Sequence, residues 1–204
     1  MKTRRAPINP ACTAGIMIRL AKELMPKLPE FLRDDFATAN RKLGEALEPL
    51  QMIEAKEASI QKIRDEISRC LSKRKMQTAL DKTHPLSDDD TTTVTTFSLL
   101  AKQLDTAIQA KNAASLTVQD TGNTLLQTFT LILNEISKGT DPRSQTSATS
   151  GLIKTIDKLK TQTSAIQTNV EHIERGLHLL HPKAFIEVAA KDRMGLSQPS
   201  QLRQ

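Results

Sequence analysis

The stretch that decides the fold is Leu152–Leu180, LIKTIDKLKTQTSAIQTNVEHIERGLHLL. Alternate steps of four and three residues along it meet nine positions, of which only Thr163 is not aliphatic. Such spacing is typical of the a and d positions of a coiled coil. We therefore predict one long amphipathic helix that packs against a partner helix. Its core seam consists of Leu152, Ile156, Leu159, Ile166, Val170, Ile173, Leu177 and Leu180.

A second run, Phe97–Ile136, follows the same spacing but has polar or small residues at Lys111, Ser115 and Gly122. The two runs can form an antiparallel hairpin in which paired residue numbers sum to 288, so that Gly122 faces Ile166. Large residues then lie opposite small ones, as in an interdigitated core. Two interpretations of the weak middle of this run stay open. It is a polar layer that sets the register, or a place where a helix of another chain docks.

Proline and glycine mark the helix ends, because proline lacks the backbone N–H that a helix interior requires. Pro26 ends a short amphipathic helix whose apolar residues are Ile16, Met17, Leu20, Ala21 and Leu24. Capping is predicted from Ser87 with Asp90 at one helix start, and from Ser147, Thr149 or Ser150 at another. The predicted organisation is a disordered basic N-terminus at 1–10, a single helical-bundle domain at 11–193 and a flexible tail at 194–204. The domain has helices at about 11–25, 30–82 (kinked near Pro49), 88–138, 149–181 and 183–193.

The predicted fold class is all-α: an elongated antiparallel helical bundle or coiled coil of three long helices with short flanking helices. Thr91–Thr96 is rich in β-branched residues, which favour a strand locally. The four-three spacing begins directly after it, at Phe97, and this favours a helix instead.

Composition excludes several classes of function. The 204 residues carry a net charge of +6 and are only 2% aromatic, with no Trp or Tyr. Nucleic-acid binding is therefore not expected, since it usually needs stronger charge or stacking rings.

Cys12 and Cys70 have no paired spacing, which indicates reduced thiols and a cytoplasmic, reducing compartment. We find neither a membrane span nor a signal peptide; secretion by a route that needs no signal peptide stays open.

Motifs for chemistry are weak. The seven glycines are scattered singly, and no nucleophile elbow, zinc-protease helix or Cys-x-x-Cys pair occurs. Glu174 and His178 form a single i,i+4 pair, which is too little for a metal site. Asp88–Asp90 lacks the glycine and distal glutamate of a calcium loop. We expect no enzyme activity, no catalytic, metal or cofactor-binding residues, and no cofactor.

One basic patch stands out at Arg69, Lys73, Arg74 and Lys75. It could contact an anionic lipid surface, nucleic acid or a nuclear-import receptor. The more ordinary interpretation is a solvated face whose cations complement the C-terminal end of a helix.

These features together predict a non-catalytic helical-bundle protein that acts through protein–protein interaction, as an assembly scaffold or an adaptor. Its partners would be other proteins, further copies of itself, or both. Two alternatives remain. The first is a peripheral membrane-binding helical module that uses the basic face on an anionic membrane surface. The second is a bacterial secretion-system component or secreted effector.

Overall fold

A computed structural model describes the backbone of residues 9–80 and 88–195 and the side chains of residues 9–73 and 91–182. Its helices are α1 (Pro10–Leu24), α2 (Glu30–Leu80), α3 (Asp88–Ser137) and α4 (Thr146–Gly195). Short 3-10 turns occupy Met25–Lys27 and Pro142–Gln145. No strand occurs in these residues, and the three long helices have 51, 50 and 50 residues. The prediction of an all-α helical bundle is confirmed.

The predicted break at His181-Pro182 is wrong, because α4 continues through Pro182 to Gly195. The prediction of a separate helix at 183–193 is therefore wrong, and residues 194 and 195 also belong to α4; the rest of the predicted tail lies outside the described residues. A proline inside a helix removes one hydrogen bond. Helix α4 tolerates that loss at Pro182, which comes just after the buried residues Ile173, Leu177 and Leu180. Helix α2 also contains a proline, Pro49, which is buried, and the helix continues on both sides of it.

The predicted cap of α4 is also wrong, since Ser147, Thr149 and Ser150 all lie inside the helix. The chain enters α4 through the 3-10 turn Pro142–Gln145, and Asp141 caps that turn by accepting a hydrogen bond from Arg143 N at 3.1 Å. The Thr149 hydroxyl donates to the Gln145 carbonyl at 3.0 Å instead of accepting at a helix start. The capping box of Ser87 with Asp90 lies outside the described residues, as do residues 1–8 and 196–204.

The outer faces of the long helices are rich in threonine. Many of these hydroxyls donate to the carbonyl four residues earlier, such as Thr95 to Thr91 at 2.9 Å and Thr124 to Asp120 at 2.9 Å. This bond satisfies the hydroxyl within the helix and explains why a β-branched stretch can stay helical. Within residues 9–80 and 88–195, no helix combines the length and the apolarity that crossing a membrane would need.

The chain divides into two compact units. Unit 1 comprises Met1–Ala55 with Ala107–Asn169, and unit 2 comprises Lys56–Thr106 with Val170–Gln204. The prediction of one domain over 11–193 stays a prediction.

In unit 1, α2 and α3 are antiparallel and α2 and α4 are parallel. The rings of Phe36 and Phe129 meet edge to face, with centroids 5.5 Å apart. Between α2 and α4, Lys42 pairs with Asp157 at 2.7 Å and Glu45 with Lys160 at 2.5 Å. The Lys160 hydrogen bond is the main reason why the pKa of Glu45 is lowered. Seam residues of this unit are buried, namely Leu152, Ile156, Leu159 and Ile166, together with Thr163.

In unit 2, α2 pairs with both other long helices through polar side chains. Arg64 contacts Asp105 of α3 at 2.6 Å, Lys56 contacts Glu174 of α4 at 3.0 Å, and Glu66 contacts His181 of α4 at 2.9 Å. The core beneath them is aliphatic. Its buried residues are Ile60, Ile67, Leu71, Leu100, Leu104 and the remaining seam residues Val170, Ile173, Leu177 and Leu180.

The predicted register of α3 against α4 is wrong. A sum of 288 would place residue 188 opposite Leu100, yet a β-carbon at Gly176 would lie 2.9 Å from Leu100 Cδ1. The displacement is 12 residues, or about 18 Å along a helix. The predicted register takes only the aliphatic seam into account, whereas α4 begins at Thr146, before the first seam residue. The loop between α3 and α4 is therefore shorter than the predicted one, and the end of α3 lies fewer residues from the start of α4.

Candidate functional site

The most distinctive feature of unit 1 is the short helix α1, and local chemistry explains both of its ends. The Asn9 side chain accepts a hydrogen bond from Ala11 N at 2.9 Å, and Pro10 occupies the first helical position, where no N–H is needed. At the other end, Pro26 lies within the 3-10 turn Met25–Lys27, and Leu28 N donates to Met25 O at 3.1 Å. The chain then reverses direction into α2.

Three contacts place α1 antiparallel to α2. A β-carbon at Gly15 would lie 3.9 Å from Leu47 Cδ2. Asn40 Nδ2 donates to the carbonyl of Ile18 at 3.0 Å, and Asn9 Nδ2 donates to the carboxylate of Glu54. Residue numbers in each contact sum to about 60, so one register accounts for all three.

The same helix lies against α3 at Gly122. A β-carbon at Gly122 would be 3.1 Å from Met17 Sδ, 3.5 Å from Met17 Cβ and 3.7 Å from Leu43 Cδ2. A glycine here lets Met17 of α1 and Leu43 of α2 approach the α3 backbone closely. We call this site the α1 groove; its walls are Asn40, Leu43 and Leu47 of α2 and Gly122 of α3. In this structure α1 of the same chain docks at Gly122; docking of a helix from another chain along α3 stays a prediction.

Small residues fill the inner side of the α1 groove. Ala11, Ala14 and Ala21 of α1 are buried, and so are Ala39 and Ala46 of α2. The register places Ala14 level with Ala46 and Ala21 level with Ala39. Small side chains on both helices let two backbones pack closely.

The outer side of α1 carries the larger apolar residues. Ile16 is 48% exposed and Leu20 is 44% exposed, and Cys12, four residues before Ile16, is exposed as well. The expected apolar face of this helix is therefore only partly correct. Ala21 is buried and Met17 and Leu24 are half-buried, whereas Ile16 and Leu20 are exposed. The spacing of Ala11, Ala14 and Ala21 was the signal that could have identified the inner face.

Asn40 is the polar residue of this interface that sequence reasoning missed. It is 6% exposed, and its Nδ2 binds the Ile18 carbonyl. Its Oδ1 is buried, and no group in the described part of the chain donates to it. A buried acceptor without a donor lowers stability, so the interface of α1 with α2 includes one unfavourable feature.

A cavity of about 380 Å³ opens beside the start of α1. Lys111, which is 9% exposed, and Ser115, whose hydroxyl donates to the Lys111 carbonyl at 2.9 Å, are buried at this level of α3. The predicted polar positions of α3 therefore lie next to α1. The cavity is lined by Asn9, Pro10, Glu54, Lys111, Asn112, Ser115 and Leu116.

The basic patch lies on α2 in unit 2. Arg69 and Lys73 are exposed and, with Glu66 and Cys70, line a shallow cavity of about 270 Å³. The side chains of Arg74 and Lys75 lie outside the described residues. The hydrogen bond from His181 is the main cause that lowers the pKa of Glu66.

The histidines do not form a metal centre in the described residues. His172 and His178 are exposed, and Glu174, four residues before His178, pairs with Lys56. No group of three or more His, Cys, Asp or Glu side chains suited to a metal ion occurs where side chains are described.

Comparison of the chain with protein-family models, with curated proteins and with solved structures finds no match. Function is therefore inferred from the geometry of unit 1 and of unit 2.

Proposed function

We propose that this chain is a non-catalytic helical-bundle protein that acts through protein–protein interaction, as a scaffold or an adaptor. One observation supports this function above the others. Helix α1 buries Ala11, Ala14 and Ala21, whereas its larger apolar side chains are half-buried or exposed, with Ile16 and Leu20 the most exposed. A surface helix of a globular protein ordinarily does the reverse, because burial of large apolar side chains is what holds such a helix in place.

The outward face of α1 has the geometry of a docking surface. Cys12, Ile16 and Leu20 are spaced by four residues, so they lie along one side of the helix. Apolar residues at this spacing are the anchors through which one helix packs against another. Exposed apolar groups that lie together are typical of interaction sites. We therefore expect a partner helix to cover this face.

The test introduces charge on the outward face with Ile16→Glu and Leu20→Glu in one chain. The matched control is Leu99→Glu with Leu131→Glu, which places two carboxylates on α3 residues that are 56% and 54% exposed. Light scattering after size-exclusion chromatography measures self-association, and affinity capture with the purified chain measures binding of other proteins. We expect the α1 variant to lose the association that wild type and control retain. Equal association by all three would refute this assignment of the surface.

A second function, binding to an anionic membrane surface, is supported by the exposure of Arg69 and Lys73 one helical turn apart. Basic side chains near an anionic surface contribute additively to binding. We expect vesicles that contain phosphatidylserine to sediment the wild-type chain, and Arg69→Glu with Lys73→Glu to abolish this. Sedimentation that is the same with neutral vesicles, or unchanged by the substitutions, would contradict this function.

A further inference from the structure

One side of α2 in unit 2 carries three cations and one carboxylate. Lys62, Glu66, Arg69 and Lys73 are spaced by four, three and four residues, so they lie along one side of the helix. We call these four residues the basic stripe. Its cations are exposed and Glu66 is half-buried, and Glu66, Arg69 and Lys73 line the same shallow cavity. The carboxylate therefore lies where an anionic surface would contact the cations, and it opposes that contact.

His181 of α4 contacts this carboxylate. Its Nε2 lies 2.9 Å from Glu66 Oε2, and the two side chains are 33% and 27% exposed. The contact is an ion pair only when the imidazole is protonated. Three positive charges and one negative charge give the basic stripe a net charge of +2 beside a neutral imidazole. Protonation of His181 adds one positive charge at the same place.

The charges of α2 around this contact are constant where histidine titrates. Histidine ordinarily changes its charge between pH 5 and pH 8. The pKa of Glu66 is lowered, chiefly by the hydrogen bond from His181 and further by Lys62 and Arg69, so its carboxylate stays ionised over that range. Lysine and arginine side chains are positive throughout the same range. Asp65, at the edge of the basic stripe, lies 3.8 Å from Arg64.

The other helices of unit 2 bring few further charges to His181. Leu100 of α3 lies level with Gly176 of the antiparallel α4, so residues 91–99 are nearest to His181, and they include no charged residue. The side chains of residues 88–90, three aspartates, lie outside the described residues. On α4, His178 is exposed and Glu174 pairs with Lys56. Among the histidines with described side chains, His181 is the one that is bonded to the basic stripe.

We propose that protonation of His181 strengthens binding of the basic stripe to an anionic membrane surface, so that this binding increases as the pH falls. The inference rests on the second proposed function, membrane binding, and names its regulation. At pH 8 the carboxylate of Glu66 offsets one cation of the stripe, and at pH 5 the imidazolium offsets the carboxylate. One added charge near an anionic surface should raise the partition coefficient by about fivefold.

Sedimentation of the full chain with phosphatidylserine vesicles at pH 8 and pH 5 tests this pH switch. His181→Gln carries no charge at either pH but keeps a side-chain N–H that can donate to Glu66. The matched control is His172→Gln, which removes an exposed histidine on the opposite side of α4. We expect the partition coefficient of wild type and control to rise, from pH 8 to pH 5, by about fivefold more than that of His181→Gln. Glu66→Gln should bind about fivefold more tightly than wild type at pH 8.

The outcomes separate the pH switch from membrane binding itself. If vesicles sediment the chain but wild type and His181→Gln show the same pH dependence, the switch is overturned and the membrane-binding function stands. An unchanged affinity of Glu66→Gln at pH 8, or an equal loss in His172→Gln, also overturns the switch. If no variant sediments at either pH, the membrane-binding function is overturned with it. If circular dichroism shows that His181→Gln is not helical, Glu66→Gln at pH 8 decides alone.

Discussion

The position of α1 predicts different outcomes for two glycine substitutions in unit 1. Gly44 lies inside α2, where an added β-carbon would have no atom within 4 Å, whereas a β-carbon at Gly122 would lie 3.1 Å from Met17 Sδ. Alanine is favoured over glycine in a helix interior by about 1 kcal/mol. Gly44→Ala should therefore raise the free energy of unfolding by about 0.5–1 kcal/mol. In Gly122→Ala the thioether of Met17 must move from its rotamer, at a cost of about 0.5–1.5 kcal/mol, so we expect a net change near zero.

Urea unfolding followed by circular dichroism at 222 nm measures both changes, and equal m-values show that the same surface becomes exposed. Replacement of Met17 by alanine provides the control, because it removes the atoms that oppose the new methyl group. In the Met17→Ala background, Gly122→Ala should gain about 1 kcal/mol, which gives an interaction energy of similar size in the double-mutant cycle. If Gly122→Ala stabilises the wild-type background as much as Gly44→Ala does, Met17 does not lie against Gly122 and the description of the α1 groove is wrong.

Three further predictions concern the core and the ion pairs. Phe129→Ala should lower the free energy of unfolding by about 3–5 kcal/mol, because the ring is 1% exposed; calorimetry or urea unfolding checks this. Gly176→Ala should not raise the free energy of unfolding, since its methyl group would meet the buried Leu100. In the Leu100→Ala background the same substitution should raise it, because alanine is favoured over glycine in a helix. Equal effects in both backgrounds would contradict the contact. The pKa of Glu66 is lowered from its ordinary value of 4.5, chiefly by the hydrogen bond from His181. The carboxylate therefore contributes to stability above pH 4.5, and this contribution is lost as the pH falls through the lowered pKa of the folded state. Unfolding midpoints measured from pH 7 to pH 3 should therefore fall more in wild type than in Glu66→Gln, and parallel curves would refute the coupling.

The local pattern of the chain was sufficient for the long helices. The four-three spacing in Phe97–Ile136 and Leu152–Leu180 predicts helices there, and α3 and α4 cover both stretches. All eight residues of the predicted seam are buried. This succeeds because helical periodicity places every third or fourth residue on one face, and an aliphatic face of that length has to be covered.

The same pattern could not predict the register of the helices or which helices pack against each other. The spacing along each helix identifies the residues of one face but not their level against the partner helix, so it could not exclude the sum of 288, from which the contact of Leu100 with Gly176 differs by 12 residues. Likewise, the capping and proline signals of the sequence did not predict that α4 begins at Thr146 and continues through Pro182.

The sequence by itself therefore determined that this protein is a helical bundle and which faces of its long helices are apolar, because both follow from short-range spacing. Only the tertiary structure decided that α1 lies antiparallel to α2, with its alanines inside and Ile16 and Leu20 outside. The periodic spacing of apolar residues predicts that the largest apolar side chains of a helix are buried. The α1 groove selects by size instead, since Ala39 and Ala46 lie level with small residues of α1 and Gly122 leaves room for the side chain of Met17. That selection depends on residues distant in the chain, and it is the basis of the function proposed for this protein.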